Sequence, residues 1–292
     1  MEAAMDTNIS ETVRNSVIGI LKSTKEVTVG IVDVVTATTV RALEDVKDIG
    51  AVLSIVLIGA TSGAIKAAGE IGANLTMVAT HSVVGAIRGV HEVSSVTTDV
   101  VRDTVRGAIK GTAEIGGDVA SVAKGAIVGA IVGTRDVAVS SEEAAAEAAK
   151  GVIRAVSEVG SDAGLAAKNA VKGAIGGVAE TSGHLTSVIK ETTKGLVLGA
   201  SEFGGDVASI AKSAIVGAIE ASKEIGLSAE EAASAAATGA VEAADKIGGK
   251  TASAVRKAVT GTIEGIKVIL KEPFMKEKQP RQGAIRKPGE EG

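Results

Sequence analysis

Small and apolar residues recur along this chain at spacings of three and four, and the whole pattern repeats every 22 residues. The triplet GAI marks the repeat and begins at Gly63, Gly85, Gly107, Gly129, Gly173 and Gly217. Variants of the triplet continue the spacing at Gly19, Arg41, Gly151, Gly195, Gly239 and Gly261. From Glu26 to Glu224 an acidic residue stands seven positions after each marker. The chain therefore contains twelve copies of one unit.

The period predicts α-helix, because 22 is twice eleven and eleven residues make about three helical turns. Counted from the marker, the apolar positions fall on one side of such a helix and form a continuous stripe. The stripe contains Ile65, Ile71, Ile87, Ile109, Ile115, Ile131, Ile153, Ile175, Val197, Phe203, Ile219 and Ile225. No alternation of period two is present, so we predict an all-α fold.

The repeat predicts three regions. Residues 1–9 form an N-terminal polar segment, residues 10–270 form the helical repeat, and residues 271–292 form a flexible, charged tail. All three prolines lie in the tail. Its Phe274 and Met275 are a candidate docking handle for a partner.

Two helical architectures fit the repeat. Glycine stands nine positions after the marker in six units, and a capping residue such as Asp118 or Ser140 often stands eleven positions after the marker. This order is typical of a helix that ends and another that begins. The stripe nevertheless keeps its phase through every unit, which favours long helices, extended or in a right-handed coiled coil. We expect helices that continue through these glycines, with one separate helix per unit as the alternative.

The stripe must be covered, because a glycine-rich helix of this kind is not stable alone in water. The stretches Lys22–Val34 (KSTKEVTVGIVDV), Val171–Glu180 (VKGAIGGVAE) and Lys190–Gly199 (KETTKGLVLG) resemble the repeats of perilipins and synucleins. The 22-residue period also resembles that of exchangeable apolipoproteins. These resemblances imply helices that lie on a lipid surface. Our main expectation is a non-catalytic protein that coats a droplet, granule or membrane.

Charge placement favours a self-assembling alternative. Acidic residues follow one flank of the polar face and basic residues follow the other, an arrangement that suits helices packed side by side. The flank residues are Glu70, Glu114, Glu158, Glu202, Lys124, Lys168, Lys190 and Lys212. One alternative is therefore a homo-oligomeric coiled or tubular scaffold. The other is a single-chain helical solenoid, in which each 22-residue unit stacks on the next through glycine hinges.

Composition points away from catalysis. The chain has no Cys and three separated His, and no nucleophile, metal or phosphate-loop motif is present. We therefore expect no enzyme activity, cofactor or metal. The net charge of −4 argues against nucleic acid. Met1 to Thr24 lacks a secretory signal, and the uncharged stretch from Ile49 to Ile65 is short for a membrane span. We expect an intracellular protein, peripheral to a membrane or lipid body.

Overall fold

The computed structural model describes residues 2–23, 27–44, 46, 48–181 and 184–270. Within this part of the chain each 22-residue unit forms one helix, except that the last unit is only partly helical, and this confirms the helical repeat fold. The helices are α1 Glu2–Ser23, α2 Val27–Glu44, α3 Ile49–Glu70, α4 Leu75–Val93, α5 Thr98–Glu114, α6 Val119–Gly133, α7 Ser141–Val159, α8 Ala163–Ala179, α9 Leu185–Glu202, α10 Val207–Glu224, α11 Ala229–Ile247 and α12 Gly249–Val259. The predicted polar segment overlaps α1, and the predicted tail lies outside the described residues.

The expectation of helices that continue through the glycines is corrected, because those glycines end the helices. Gly72, Gly116 and Gly160 have φ values near +70°, a conformation that residues with a Cβ rarely adopt. At the end of α3 the Ala73 N–H donates to the Ala68 carbonyl at 2.8 Å, closing a Schellman motif. A polar side chain then begins the next helix: Asp118 accepts from the Ser121 N–H, and Ser140 forms a capping box with Glu143.

The helices form two layers. Each helix packs mainly against the helix two positions away, so the odd-numbered helices form one layer and the even-numbered helices form the other. Helices within a layer are parallel, since Thr76 bonds to Ser121 and Thr80 bonds to Gly125 one turn further along both helices. Short turns join the layers, and consecutive helices reverse direction. This architecture is an α-solenoid.

The marker glycines lie where parallel helices touch. A Cβ added to Gly151 would lie 2.6 Å from the Arg102 carbonyl oxygen, closer than any real Cβ contact. Gly173 meets the Lys124 carbonyl, and Gly195 meets that of Ala146, in the same way. Threonine hydroxyls use this close approach: Thr80 Oγ1 donates to the Gly125 carbonyl at 3.0 Å. Small residues therefore bring the backbones of neighbouring helices into contact, as in membrane helix pairs.

The last unit is only partly helical. After α12 the chain forms β1 (Gly261–Ile263) and β2 (Ile266–Val268), an antiparallel hairpin in which Gly261 pairs with Val268. Its two turn residues, Glu264 and Gly265, both have positive φ, which is typical of a tight hairpin turn. The hairpin packs on α11 and buries Ile263 and Val268. The prediction of helix through residue 270 is wrong here, because the hairpin replaces the final turns.

Candidate binding surfaces

Most of the predicted apolar stripe is the core of this single chain. Eight stripe side chains at the position two residues after the marker are at most 2% exposed. They are Ile65, Ile87, Ile109, Ile131, Ile153, Ile175, Val197 and Ile219. Both layers contribute to one continuous cluster of buried residues. The stripe is therefore covered by neighbouring repeats and leaves these side chains no surface toward lipid or a second copy.

The other four stripe residues lie at helix ends. Ile71, Ile115, Phe203 and Ile225 are the C-cap residues of α3, α5, α9 and α10. Ile115 is 37% exposed and leans over Gly69 at the end of α3. Phe203 stacks with Arg154, whose guanidinium lies 5.6 Å from the ring centroid. These residues close helix ends.

Complementary charges connect helices of the same layer. Arg106 of α5 lies 2.8 Å from Glu158 of α7, and Lys66 of α3 lies 2.6 Å from Glu114 of α5. Arg14 pairs with Glu70 in the same way. In the second half of the chain, Lys168 lies 2.6 Å from Glu220 and Lys190 lies 3.4 Å from Glu242. The flank complementarity that the sequence indicates is therefore formed inside one chain.

Three of the predicted flank residues lie outside this network. Glu202, Lys124 and Lys212 form no ion pair among the residues that the structure describes. The sequence missed several partners, including Arg14, Glu147, Glu220 and Glu242. The sequence signal for these pairs is a basic residue and an acidic residue about two repeat units apart. It can be recognised only when alternate helices are known to stack.

The ion pairs keep their members charged. Burial raises the pKa of Glu158, but the hydrogen bond and charge of Arg106, together with Lys110 and Arg154, outweigh burial and hold that pKa below its usual value. Burial lowers the pKa of Lys172, but hydrogen bonds to Glu220 and Glu224 raise it above its usual value. Paired charges of this kind stabilise the register between helices.

The outer faces of the two layers differ. Ion pairs cross the outer face of the odd layer, from Arg14 in α1 to Glu242 in α11, whereas those of the even layer, between described residues, join α8 and α10. The outer face of α4 and α6 carries the charged Arg88 and Lys124, neither of which forms an ion pair among the described residues. The uncharged part of that face, which we call the uncharged face, consists of Met77, Thr80, Val84, Val128 and Val132. These side chains are half-buried, except Val84, which is buried. The backbones beneath the uncharged face are held by glycine contacts, since Gly125 and Gly129 of α6 pack on the Thr76 and Thr80 carbonyls of α4.

The remaining polar groups of the described residues are scattered or already paired. No group of three His, Cys, Asp or Glu could hold a metal ion in this part of the chain. His81 Nδ1 lies 2.8 Å from the Met77 carbonyl, and His91 and His184 are exposed. A polar groove of about 410 Å³ crosses α1, α3 and α5, but its charged groups include the paired Arg14, Lys66 and Glu114.

Helix α3 is long and apolar enough, by length and composition alone, to cross a membrane. Its mean hydropathy reaches 1.8, and half of that window is buried. The helix packs between α1 and α5 of the odd layer. A core helix of a solenoid has the same properties.

No protein-family model matches this chain, and neither does any curated protein sequence. Among solved structures, the chain is similar to the de novo designed helical repeat protein DHR7. The two sequences are 18% identical, and the match covers 70% of this chain and 97% of that chain, with a TM-score of 0.28. The resemblance to perilipins, synucleins and apolipoproteins stays a prediction.

Proposed function

We propose that this protein is a non-catalytic scaffold, a single-chain α-solenoid that presents extended outer faces to a binding partner. The observation that carries the proposal is the burial of the apolar stripe, from Ile65 to Ile219, between the chain's own helices. A stripe used for internal packing needs neither lipid nor a second copy. Solenoids of this kind bind through extended outer surfaces.

The uncharged face is the part of the scaffold that we assign to partner binding. Val128 and Val132 lie half-buried on α6, whose fifteen residues include Lys124 as the single charged residue. An uncharged face that remains accessible on a folded solenoid suits an apolar partner surface. On the odd layer, by contrast, ion pairs such as Arg106–Glu158 already satisfy the charges.

A lipid surface is the second candidate partner, and the uncharged face is also the observation that favours it. Met77, Val128 and Val132 are apolar and point outward on neighbouring helices. The helix would then lie on lipid as part of a folded solenoid, and not as the separate amphipathic helix that the resemblances imply.

Two adjacent residues of α6 give a sharp test. Ile131 is fully buried between the layers, and Val132 lies on the uncharged face. For a solenoid, Ile131→Asp removes most helical circular dichroism in buffer, whereas Val132→Asp keeps it. The wild-type signal should be the same on dilution and with neutral vesicles. Helicity that is low in buffer and rises only with lipid would contradict the scaffold.

Vesicle flotation separates the two candidate partners. Wild type that floats with neutral phosphatidylcholine vesicles, together with Val132→Asp that does not, would identify lipid as the partner of the uncharged face. Wild type that stays in the bottom fraction leaves a protein partner. If the two variants lose vesicle binding equally while both remain helical, the assignment of the uncharged face is wrong.

A further inference from the structure

The same repeat position carries a lysine in three neighbouring helices of the even layer. Lys124 of α6, Lys168 of α8 and Lys212 of α10 each stand two units apart, and we call these three residues the lysine row. The helices are aligned there, because Gly173 packs on the Lys124 carbonyl and Gly217 packs on the Lys168 carbonyl in the same way. Helix axes in such contact lie about 8 to 10 Å apart, so the lysine row repeats at about that spacing.

The equivalent position of the odd layer is neutralised or empty of charge. Arg102 of α5 lies 3.4 Å from Glu147, α7 carries Ala146, and Lys190 of α9 lies 3.4 Å from Glu242. The first and last members of the lysine row, by contrast, form no ion pair among the described residues. The two layers therefore use one repeat position differently.

Positive charge exceeds negative charge along the middle of the even layer. From α4 to α10, before the last turn of each even-numbered helix, the charged residues are the basic Arg88, Lys124, Lys168, Lys172 and Lys212 and the acidic Glu220. Glu220 lies 2.6 Å from Lys168 and 2.7 Å from Lys172, and Glu224 lies 3.0 Å from Lys172. The other charged residues of these helices and their turns stand at the helix ends, and they are Glu92, Asp118, Arg135, Asp136, Asp162, Glu180, Asp206, Lys223 and Glu224.

Apolar side chains accompany the lysine row. Val128 and Val216 each follow a member of the row by one helical turn, so they lie on the same side of their helices, and both are half-buried. Leu165, three residues before Lys168, is 47% exposed. This face therefore combines unpaired ammonium groups with accessible apolar side chains, a combination that suits a partner both anionic and apolar.

The residue types indicate which anionic partner that is. A lysine ammonium is a point charge on a flexible stem, whereas arginine recognises carboxylates through a rigid fork and is the cation enriched at protein interfaces, where lysine is depleted. Single-stranded nucleic acid is bound with stacking aromatic side chains, and the chain has two Phe and no Trp or Tyr. Anionic lipid headgroups attract lysines without a fixed geometry and cover an apolar layer.

We propose that the outer face of α6, α8 and α10 binds anionic lipid headgroups through the lysine row, while Leu165, Val128 and Val216 enter the boundary between headgroups and acyl chains. The inference rests on the proposed function, because it specifies the lipid candidate given there. The net charge of the chain is −4, but charges farther than a Debye length of about 10 Å are screened in moderate salt, so the lysine row acts locally.

Flotation of the full chain with two kinds of vesicle tests the proposal. Replacing part of the phosphatidylcholine by phosphatidylserine should tighten vesicle binding of wild type about thirtyfold at low salt, as two unpaired lysines near an anionic surface supply. The double variant Lys124→Gln, Lys212→Gln should lose most of this gain. The double variant Lys190→Gln, Lys194→Gln is the matched control, because it removes the same charge from α9 of the odd layer. Circular dichroism checks that each variant is folded.

Three results would overturn the proposal. They are equal binding of wild type to the two kinds of vesicle, an equal loss of binding in the two folded double variants, and a gain from phosphatidylserine that persists in high salt, since screening should remove it. Tighter binding to soluble polyglutamate than to anionic vesicles would also overturn it, because the lysine row would then recognise the carboxylates of a protein. The scaffold stands in each case, since helicity in buffer tests it, and Val132→Asp on neutral vesicles tests the uncharged face.

Discussion

Equivalent positions of the repeat carry different residues in two regions, the contact between α5 and α7 and the N-terminal end of the solenoid. In α7 the marker is Gly151, packed on the Arg102 carbonyl of α5. In α2, which no described even-numbered helix precedes, the marker is the exposed Arg41. The outward face of α1 carries Glu11, Thr12, Asn15 and Ser16, where the equivalent positions of α3 carry Ile55, Val56, Gly59 and Ala60.

This difference shows that the neighbouring helix requires the glycine at Gly151. The markers without a stacked neighbour differ from each other, since one is Arg41 and the other is Gly19 of α1, whose added Cβ would meet no atom within 4 Å. Glycine weakens a helix by about 1 kcal/mol relative to Ala, so it is kept where two backbones touch and is replaceable where nothing stacks. Polar residues at the free face act as a cap, as terminal repeats of solenoids do. The polar face of α1 disfavours stacking of a further copy on it.

We expect the largest loss of stability from a bulky residue at a marker position that packs against a neighbouring helix. Gly151→Val places a branched side chain against the Arg102 carbonyl, which a parallel backbone cannot easily avoid. We expect it to lower the free energy of unfolding by about 3 kcal/mol. Arg41→Val, at the same repeat position but exposed, should change that energy by less than about 0.5 kcal/mol. Urea denaturation followed by circular dichroism measures both, and equal losses would show that the position does not depend on its neighbour.

We expect a smaller loss of stability at a helix-ending glycine than at a glycine in a helix contact, and α7 contains one of each. Gly160 ends α7 with φ of +69°, and an added Cβ would meet no atom within 4 Å. Gly160→Ala therefore suffers only the strain of the left-handed conformation, and we expect a loss of about 1 kcal/mol. Gly151→Ala should lose more, because its methyl group meets the Arg102 backbone. The same urea series compares them, and a larger loss at Gly160 would mean that helix ends, not contacts, limit stability.

The sequence predicts the units and their helices, but it leaves the architecture open. Both a continuous helix and stacked helices keep an apolar stripe in phase every 22 residues, so phase alone cannot decide. Local capping signals distinguish separate helices from one continuous helix. The helix ends are marked by Gly160 followed by Asp162, and by the capping box of Ser140 and Glu143. Arg41 is a further local signal of stacked helices, because it replaces the marker glycine in a helix on which no described neighbour stacks.

The covering of the stripe depends on long-range packing. Ile131 has the same spacing whether its helix lies on lipid or between layers, so periodicity does not identify what covers it. The ion pairs between alternate helices, such as Arg106 with Glu158, likewise need the stacking register before they can be predicted. The hairpin from Gly261 to Val268 is also not predicted by the helical repeat.

The smallest effect concerns charge in the same α5–α7 contact. The pKa of Glu158 lies below its usual value, so its pairs stabilise the fold above an unfolded pKa of about 4.3 and lose this contribution as pH falls through the folded pKa. Since Glu158 is about a third exposed, salt screens the pairs, and we expect Glu158→Gln to lower the free energy of unfolding by less than about 1 kcal/mol at pH 7. Urea midpoints should differ between wild type and Glu158→Gln at neutral pH and converge in acid or high salt. Glu202→Gln is the matched control, because Glu202 forms no ion pair among the described residues. A Glu158→Gln loss that persists unchanged below pH 4 would indicate a packing role for this side chain and no electrostatic one.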